Sequence, residues 1–449
     1  MEDLERLAEA ALDWIGAQSK TIQAELYLAR GQERGIELRE GELDGIAHAS
    51  SQGAGLRVFA EGRMGFACAG GLSLELIQGL YGKIMEQKRF LEPDPHKRLP
   101  QPQAASPDPV LSDSLWDEGL FQSELERLIP DLKEMESEAR RFDKRIRSVP
   151  RAGYGESRGE VVIAGTGGAF AREKAGSTSI GLSVLSEDAG EVQIGSASQS
   201  DRAGGRLDFT KTARDGAWRA TALLGAKKLL GGRRGVVFDP WVAGEFLDLV
   251  AGLLCADQVQ RGKSLLAGKK GARVASSLVT FIDDPRRPGG LGSSLFDDEG
   301  YPTSRKVMID KGVVMDYFYD SYTANREGRA SNASAGRGSY RGLPGPGCSN
   351  FFLQAGSSSR QELIAGTRDG ILVLDVMGMH MADPISGEFS VGVSGLRIEN
   401  GELTHPIKGA MISGNLIELM DRIDAVASDL TFYGALGAPT FRVAHLTVA

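Results

Sequence analysis

The sequence has only three cysteines, Cys68, Cys255 and Cys348, and they stand far apart. That excludes a disulfide framework and the close cysteine pair of a zinc ribbon, and it fits a reducing compartment. Histidine is nearly as scarce. None of the five, His48, His96, His380, His405 and His445, precedes a glutamate, and no two stand three to five residues apart. A local zinc-binding helix is therefore excluded. Long apolar runs are missing as well: the most apolar helical stretch, 249–256, falls far short of the about 20 residues that a bilayer span needs. The opening Met1-Glu2-Asp3-Leu4-Glu5-Arg6 is acidic and amphipathic and has no positive leader before an apolar stretch, so a cytoplasmic location is expected. Positive charge is not in excess. With 60 acidic against 52 basic side chains the net charge is −8, so nucleic acid is not expected as a direct partner. Scattered pairs such as Lys227-Lys228, Arg233-Arg234 and Lys269-Lys270 read as solvated surface.

What is abundant is glycine, 59 residues without a collagen-like period, which predicts many tight turns and close backbone approaches in a strand-rich protein. Hydrophobic residues at 41% and charged residues at 25% are ordinary for a globular chain, and 449 residues allow two or three cores.

Leu4, Leu7, Ala8, Ala11, Leu12 and Ile15 share one helical face and predict an opening amphipathic helix. Short strands separated by glycine-containing turns are expected at 24–28, 35–40, 43–49, 55–59 and 64–67, as a meander. A second helix carries Leu72, Leu76, Leu80 and Ile84. Six prolines between Pro93 and Pro109 then mark an extended connector. Helical periodicity returns at Leu125, Leu128, Ile129 and Leu132, with Pro130 marking a break or restart. Strands are expected at 159–164, 178–185 and 191–198, and a helix at 215–230. Asp239 as N-cap and Pro240 at the first helical position open a helix with Val242, Phe246, Val250, Leu253 and Leu254, apolar nearly all round and expected to be buried. Asp310-Lys311-Gly312 and Glu399-Asn400-Gly401-Glu402 predict hairpin turns, and Leu416, Leu419, Met420 and Ile423 a last helix. The fold class is α+β: an N-terminal helix-meander-helix unit at 1–92, the proline-rich connector at 93–110, a central α+β region at 111–230 and a strand-rich C-terminal domain at 231–449.

Few motifs carry chemistry. His380, beside Gly378 and near Asp375 and Asp383, is the best lone candidate, with a hydrogen-bonded structural histidine as the simpler reading. Asp283-Asp284 and Asp297-Asp298-Glu299-Gly300 could hold a hard cation, but each adjoins Pro or Gly and reads better as turn-forming aspartates. Gly262-Lys263-Ser264 lacks the earlier glycine of a phosphate loop, whose place Asp257 takes, and Gly165-Thr166-Gly167-Gly168 reads as a turn. The Gly-, Ser- and Asn-rich segment 325–347 contains Arg326, Arg329, Arg337 and Arg341, which can present guanidinium forks to a peptide or its carboxylate terminus; the alternative is a surface loop.

Several stretches resemble the TldD/PmbA family in order: Asp284-Pro285, Phe296-Asp297-Asp298-Glu299-Gly300, Tyr319 to Ala324, Ser386-Gly387-Glu388-Phe389-Ser390, Ile398 to Glu402 and Ile412-Ser413-Gly414-Asn415-Leu416. The resemblance is dense from about Gly235 onward and extends, less distinctively, to the N-terminal helix-meander-helix. The catalytic branch of that family resembles a zinc peptidase, with histidines on one helix and a cysteine ligand further on. With Arg261-Gly262-Lys263-Ser264 as anchor, the counterpart of that helix here is Leu247 to Gly252, without histidine, and no cysteine follows Cys348. A zinc peptidase needs about three protein ligands and an open position for water. The resemblance therefore implies the TldE/PmbA-type branch, with no catalytic or metal residue in this chain and zinc in a TldD-like partner. It implies a substrate-holding subunit for unfolded or leader peptides bound in extended form as an added strand. Arg326, Arg329, Arg337, Arg341, His380, Asp383 and Ser386 are the expected substrate-binding residues, on loops facing a shared cavity. No membrane partner is expected, and a homodimer of the isolated chain stays open. Two alternatives stand beside this: a self-sufficient metallopeptidase around His380, Asp375 and Asp383, and a purely structural partner-stabilising protein.

Overall fold

The computed structural model describes residues 3–102 and 108–449, leaving out the side chain of His380. Residues 103–107 of the proline-rich connector lie outside the described residues. The first half of the chain runs α1 (Leu4–Gln18), β1 (Gln23–Arg39), β2 (Glu42–Ala60), β3 (Arg63–Gly70) and α2 (Leu74–Gln87). It continues with α3 (Pro109–Leu115), α4 (Ile129–Phe142), β4 (Ile146–Gly165), β5 (Phe170–Asp188), β6 (Glu191–Asp201) and α5 (Phe209–Ala222). The six strands form one antiparallel sheet in the order β3-β2-β1-β4-β5-β6, so β1 and β4 join the N-terminal and central stretches along 14 residue pairs.

Side-chain alternation gives the sheet two unlike faces. On one face Leu26, Leu28, Leu56, Val58 and Val162 pack against Leu4, Leu7, Ile15, Ile77 and Leu80 of α1 and α2. Further along the same face Ile36, Leu38, Ile180, Leu182 and Val184 pack against Leu132, Met135, Ala213 and Ala217 of α4 and α5. The other face meets the C-terminal half at one end, through Tyr27, Ile163, Ala171 and Tyr340. At its far end Gly35, Gly153, Gly155, Ser179, Gly181 and Ser198 line an open trough of about 720 Å³.

The expected short strands are corrected in one respect: 24–28 with 35–40, and 43–49 with 55–59, fuse into strands of 17 and 19 residues. Gly35 and Gly53 do not turn the chain but allow close approach, since an added Cβ would lie 3.0 Å from the Tyr154 carbonyl oxygen and 2.3 Å from the Tyr340 ring. The turns fall at Glu40-Gly41 and Glu61-Gly62, all at positive φ. The helix expected at 215–230 starts earlier, because the Asp208 carboxylate caps it by accepting from the Lys211 N–H, and Gly225 at φ +73° follows its end. Beyond β3, which pairs with residues 53–60 of β2, the outer edge of 42–52 has no strand beside it among the described residues.

The second half contains β7 (Lys227–Lys228), β8 (Gly232–Phe238), α6 (Pro240–Leu253), α7 (Ala256–Gln260), β9 (Phe281–Asp283), β10 (Lys306–Asp310) and β11 (Val313–Val314). Next come α8 (Ser321–Arg326), β12 (Ala335–Gly336), β13 (Gly345–Pro346), β14 (Phe351–Leu353), α9 (Arg360–Ala365) and β15 (Asp369–Met377). The last elements are β16 (Glu388–Glu399), β17 (Glu402–Asn415), α10 (Leu416–Asp421), β18 (Ile423–Val426), β19 (Thr431–Tyr433), β20 (Leu436–Ala438) and β21 (Phe441–Val448). Ile423, expected in the last helix, instead opens β18.

Strand β21 pairs with both β8 and β17, so β21-β8-β15-β16-β17 closes into a ring. A second sheet runs β11-β10-β9-β14-β20-β19. Between them lies α6, packed on β15 from one side and on β14 and β20 from the other. Its burial follows from its composition: Val242, Ala243, Phe246, Leu247, Val250 and Leu253 all face core, and the Asp239 cap accepts from the Trp241 N–H. Asn400 and Gly401 carry φ of +52° and +85°, as the expected Asn-Gly hairpin between β16 and β17 requires.

Candidate functional site

The α6 helix keeps one stripe open. Trp241, Gly244, Glu245, Asp248 and Leu249 recur at helical spacing and form one wall of a cleft of about 610 Å³. Val376, Gly378 and Met379 at the end of β15 and Tyr433 and Leu436 from the β19–β20 hairpin form the others. The Tyr433 and Trp241 rings meet edge to face at 4.8 Å between centroids, and the Arg219 guanidinium lies 5.6 Å from the Trp241 ring. Arg219 is itself held by Asp239 at 3.0 Å. Burial, together with the neighbouring Asp375 and Asp248 charges, pushes the Glu245 carboxyl above the usual carboxylate range. Burial likewise raises Asp375.

Asp248 and Leu249 of this stripe fall within 247–252, the stretch that resembles the family's zinc helix, and the residues present do not fit a zinc ion. Leu247 is 2% exposed and points into the core, and Gly252 offers no ligand atom. The cleft's donors are carboxylates, and no group of three or more His, Cys, Asp or Glu that could hold a metal occurs among the described residues. Glu245 and Asp248 were absent from the sequence-based expectations. The signal that could have found them is acidic residues at i and i+3 in an otherwise apolar helix.

The expected arginine loop is folded down in part: Arg329 and Arg337 are drawn into ion pairs, while Arg326 and Arg341 stay exposed. Arg329 makes two bonds of 2.7 Å to Asp316 and lies 4.1 Å from the Tyr319 ring. Arg337, with no exposed side-chain surface, pairs with Glu25, donates to the Asp298 carbonyl at 3.0 Å and stacks 4.7 Å from Tyr27. Arg326 lies over Tyr322 and Arg341 over Tyr340. Asp383 and Ser386 bond each other at 2.9 Å in an exposed turn, and the side chain of His380 lies outside the described residues. Among the described residues no hydrogen bond joins the arginines to the 378–390 segment. The segment reaches the cleft through Gly378 and Met379.

Two of the stretches that resemble the family, 296–300 and 319–324, hold the halves together, and two others clasp each other within the second half. Arg57 on β2 sits between Glu25 and Glu299, and Glu299 also accepts from the Ser321 N–H and hydroxyl at 2.7 Å each. Burial raises Glu25, but the Arg57 and Arg337 charges outweigh it and hold the carboxyl below its ordinary value. Asp297 accepts from the Glu299, Tyr301 and Ala335 N–H groups as a turn-former, while burial and the Glu299 charge push it up to about 8. Asn415 donates to the Ser386 carbonyl at 2.8 Å, clasping 386–390 to 412–416.

A six-stranded sheet with helices on one face, joined to a strand ring and a second sheet that hold a helix between them, defines a known class, and sequence profiles name it. Residues 24–80, 119–224 and 231–449 match domain 1, the central domain and the C-terminal domain of the PmbA/TldA metallopeptidases. The chain belongs to the TldD/PmbA family. A metalloprotease of Methanocaldococcus jannaschii is 27% identical, with 90% of each chain covered. A metalloprotease TldD homolog of Haemophilus influenzae is 29% identical, over 90% of this chain and 85% of that protein. The crystal structure of TldE from Thermococcus kodakarensis superposes with a TM-score of 0.86 at 21% identity, covering 99% of each chain. A Thermotoga maritima protein named as a candidate modulator of a DNA gyrase reaches 0.89 at 24% identity, covering all of both chains.

Proposed function

We propose that this chain is the non-metal-binding, TldE/PmbA-type subunit of a zinc-dependent peptidase assembly, walling and guiding the cavity in which a TldD-like partner cleaves unfolded or leader peptides. The observation that carries this reading is the α6 stripe. In the counterpart of the catalytic branch's zinc helix, Leu247 is committed to the core and the open position carries Asp248, with Glu245 one turn before it on the same stripe. Two further features support it. The bare trough on the large sheet and the unpaired 42–52 edge of β2 suit a peptide or partner strand that bonds through its backbone. Among the described residues no helix is long and apolar enough to cross a membrane. A link to DNA gyrase gains no support from a net charge of −8.

The test is metal analysis and unfolded-peptide cleavage on the purified chain, with and without its TldD-like partner. Zinc and cleavage are expected with the partner present and absent from this chain alone. Stoichiometric zinc with cleavage by this chain alone, lost in His380→Ala, would replace the proposal with a self-sufficient peptidase. Full activity of the partner alone would leave a purely stabilising role.

A further inference from the structure

The α6 cleft combines features that a merely inactive remnant does not need. Its floor and walls are apolar and aromatic, from Leu249, Val376, Met379, Leu436, Trp241 and Tyr433, yet two carboxylates open into it. Neither Glu245 nor Asp248 has a hydrogen bond or ion pair to a described residue, and the charges that act on Glu245 are both negative. Asp375 from β15 adds to that negative field; Arg219, facing from α5, acts on Asp375 and shares Asp239 with Arg360, but pairs with neither Glu245 nor Asp248. Half-buried Glu245 and exposed Asp248 are thus left as two carboxylates that no described cation pairs.

We propose that the α6 cleft binds a lysine or arginine side chain of an extended peptide, its cationic head at Glu245 and Asp248 and its methylene stem along the apolar walls. The proposal rests on the substrate-holding role above and names the residue class that the role selects. Long cationic side chains bury their stems on apolar surface while the head keeps polar company, and aromatic faces attract such heads. A metal cation is the poorer fit, since the carboxylates do not gather into a metal-holding group among the described residues.

The experiment is fluorescence anisotropy of labelled, N-acetylated unfolded peptides with one central lysine, arginine or norleucine, titrated with the chain alone and with the chain plus its TldD-like partner. Acetylation removes the terminal amine as a competing cation. The expected result is that the lysine and arginine peptides bind about tenfold tighter than the norleucine peptide. That ratio should shrink with added salt. It should fall close to one in Glu245→Gln/Asp248→Asn, whose thermal melt serves as the check on folding. Equal binding of charged and norleucine peptides by the wild type would overturn the pocket while leaving the subunit role standing. So would a double variant that weakens all three peptides alike. Saturable binding of zinc or magnesium alone, abolished in the double variant, would assign the carboxylates to a metal instead. No binding of any peptide, with or without the partner, would remove the substrate-holding role itself.

Discussion

Asp316 shows what the folded arginine loop does for stability. Burial raises its carboxyl, but hydrogen bonds from Arg329 and Lys270 outweigh that and bring it down to about 2. A carboxyl lowered by folding contributes stability above its unfolded value near 3.8, and that contribution is lost as pH falls through about 2. The side chain is a quarter exposed, so the contribution is discounted for solvent screening to about 1 kcal/mol. Asp316→Asn should therefore lower the urea midpoint at neutral pH, with the gap to wild type closing between about pH 4 and pH 2. Arg57 offers a larger effect. Its removal leaves Glu25 and Glu299, 3% and 1% exposed, without their shared counter-charge. Arg57→Met should cost about 3–5 kcal/mol in urea unfolding, and adding Glu299→Gln should recover part of it.

At the scale of the element, α6 separates two neighbours in sequence. Leu247 faces core, so Leu247→Ala should cost about 2–4 kcal/mol, whereas Asp248→Ala on the open stripe should stay within about 0.5 kcal/mol, both read from denaturant curves. Gly195 on β6 and Gly45 on β2 make a second contrast. A Cβ on Gly195 would sit 2.1 Å from the Ala220 nitrogen of α5, while one on Gly45 meets nothing within 4 Å. Gly195→Ala should lower the melting temperature by several degrees, and Gly45→Ala should leave it unchanged or slightly raised. These elements also show what could be read from sequence. The cap and apolar face of α6, the Asn-Gly hairpin and α1 were legible because their causes are local. The length of β1 and β2 was not, because a glycine that relieves a close approach from another strand is written like one that turns the chain. The ion pairs of Arg337 and Arg329 were illegible for a related reason: their partners Glu25 and Asp316 are known once the chain is folded, and a polar loop reads alike whether it reaches into solvent or closes on a carboxylate. Glu245 and Asp248 were not legible as a pair because two acidic residues one turn apart on an apolar helix read alike whether they line a cleft or face solvent.

Across the whole molecule, the two halves are bound by buried polar contacts as well as by apolar surface. Besides the Arg57 cluster, Arg202 donates to the Gly176 carbonyl on β5 and to the Gly290, Leu291 and Ser293 carbonyls of the second half, while Glu173 accepts from Ser294 and Leu295. Polar junctions of this kind couple domains strongly when every partner is present and poorly when one is lost. Calorimetry of the wild type should give a single transition; Arg202→Gln should broaden or split it, and a split that already exists in the wild type would show the halves to be independent. The strand ring adds a condition of a different sort. Its first strand, β8, leaves the ribosome roughly two hundred residues before β21, an interval of about 10–40 s at ordinary rates of synthesis. Throughout that wait the apolar Val236-Val237-Phe238 stretch lacks one of its two ring neighbours. A newborn chain is thus most exposed to aggregation late in translation, and its yield should depend on holdase chaperones far more than the stability of the finished protein would suggest.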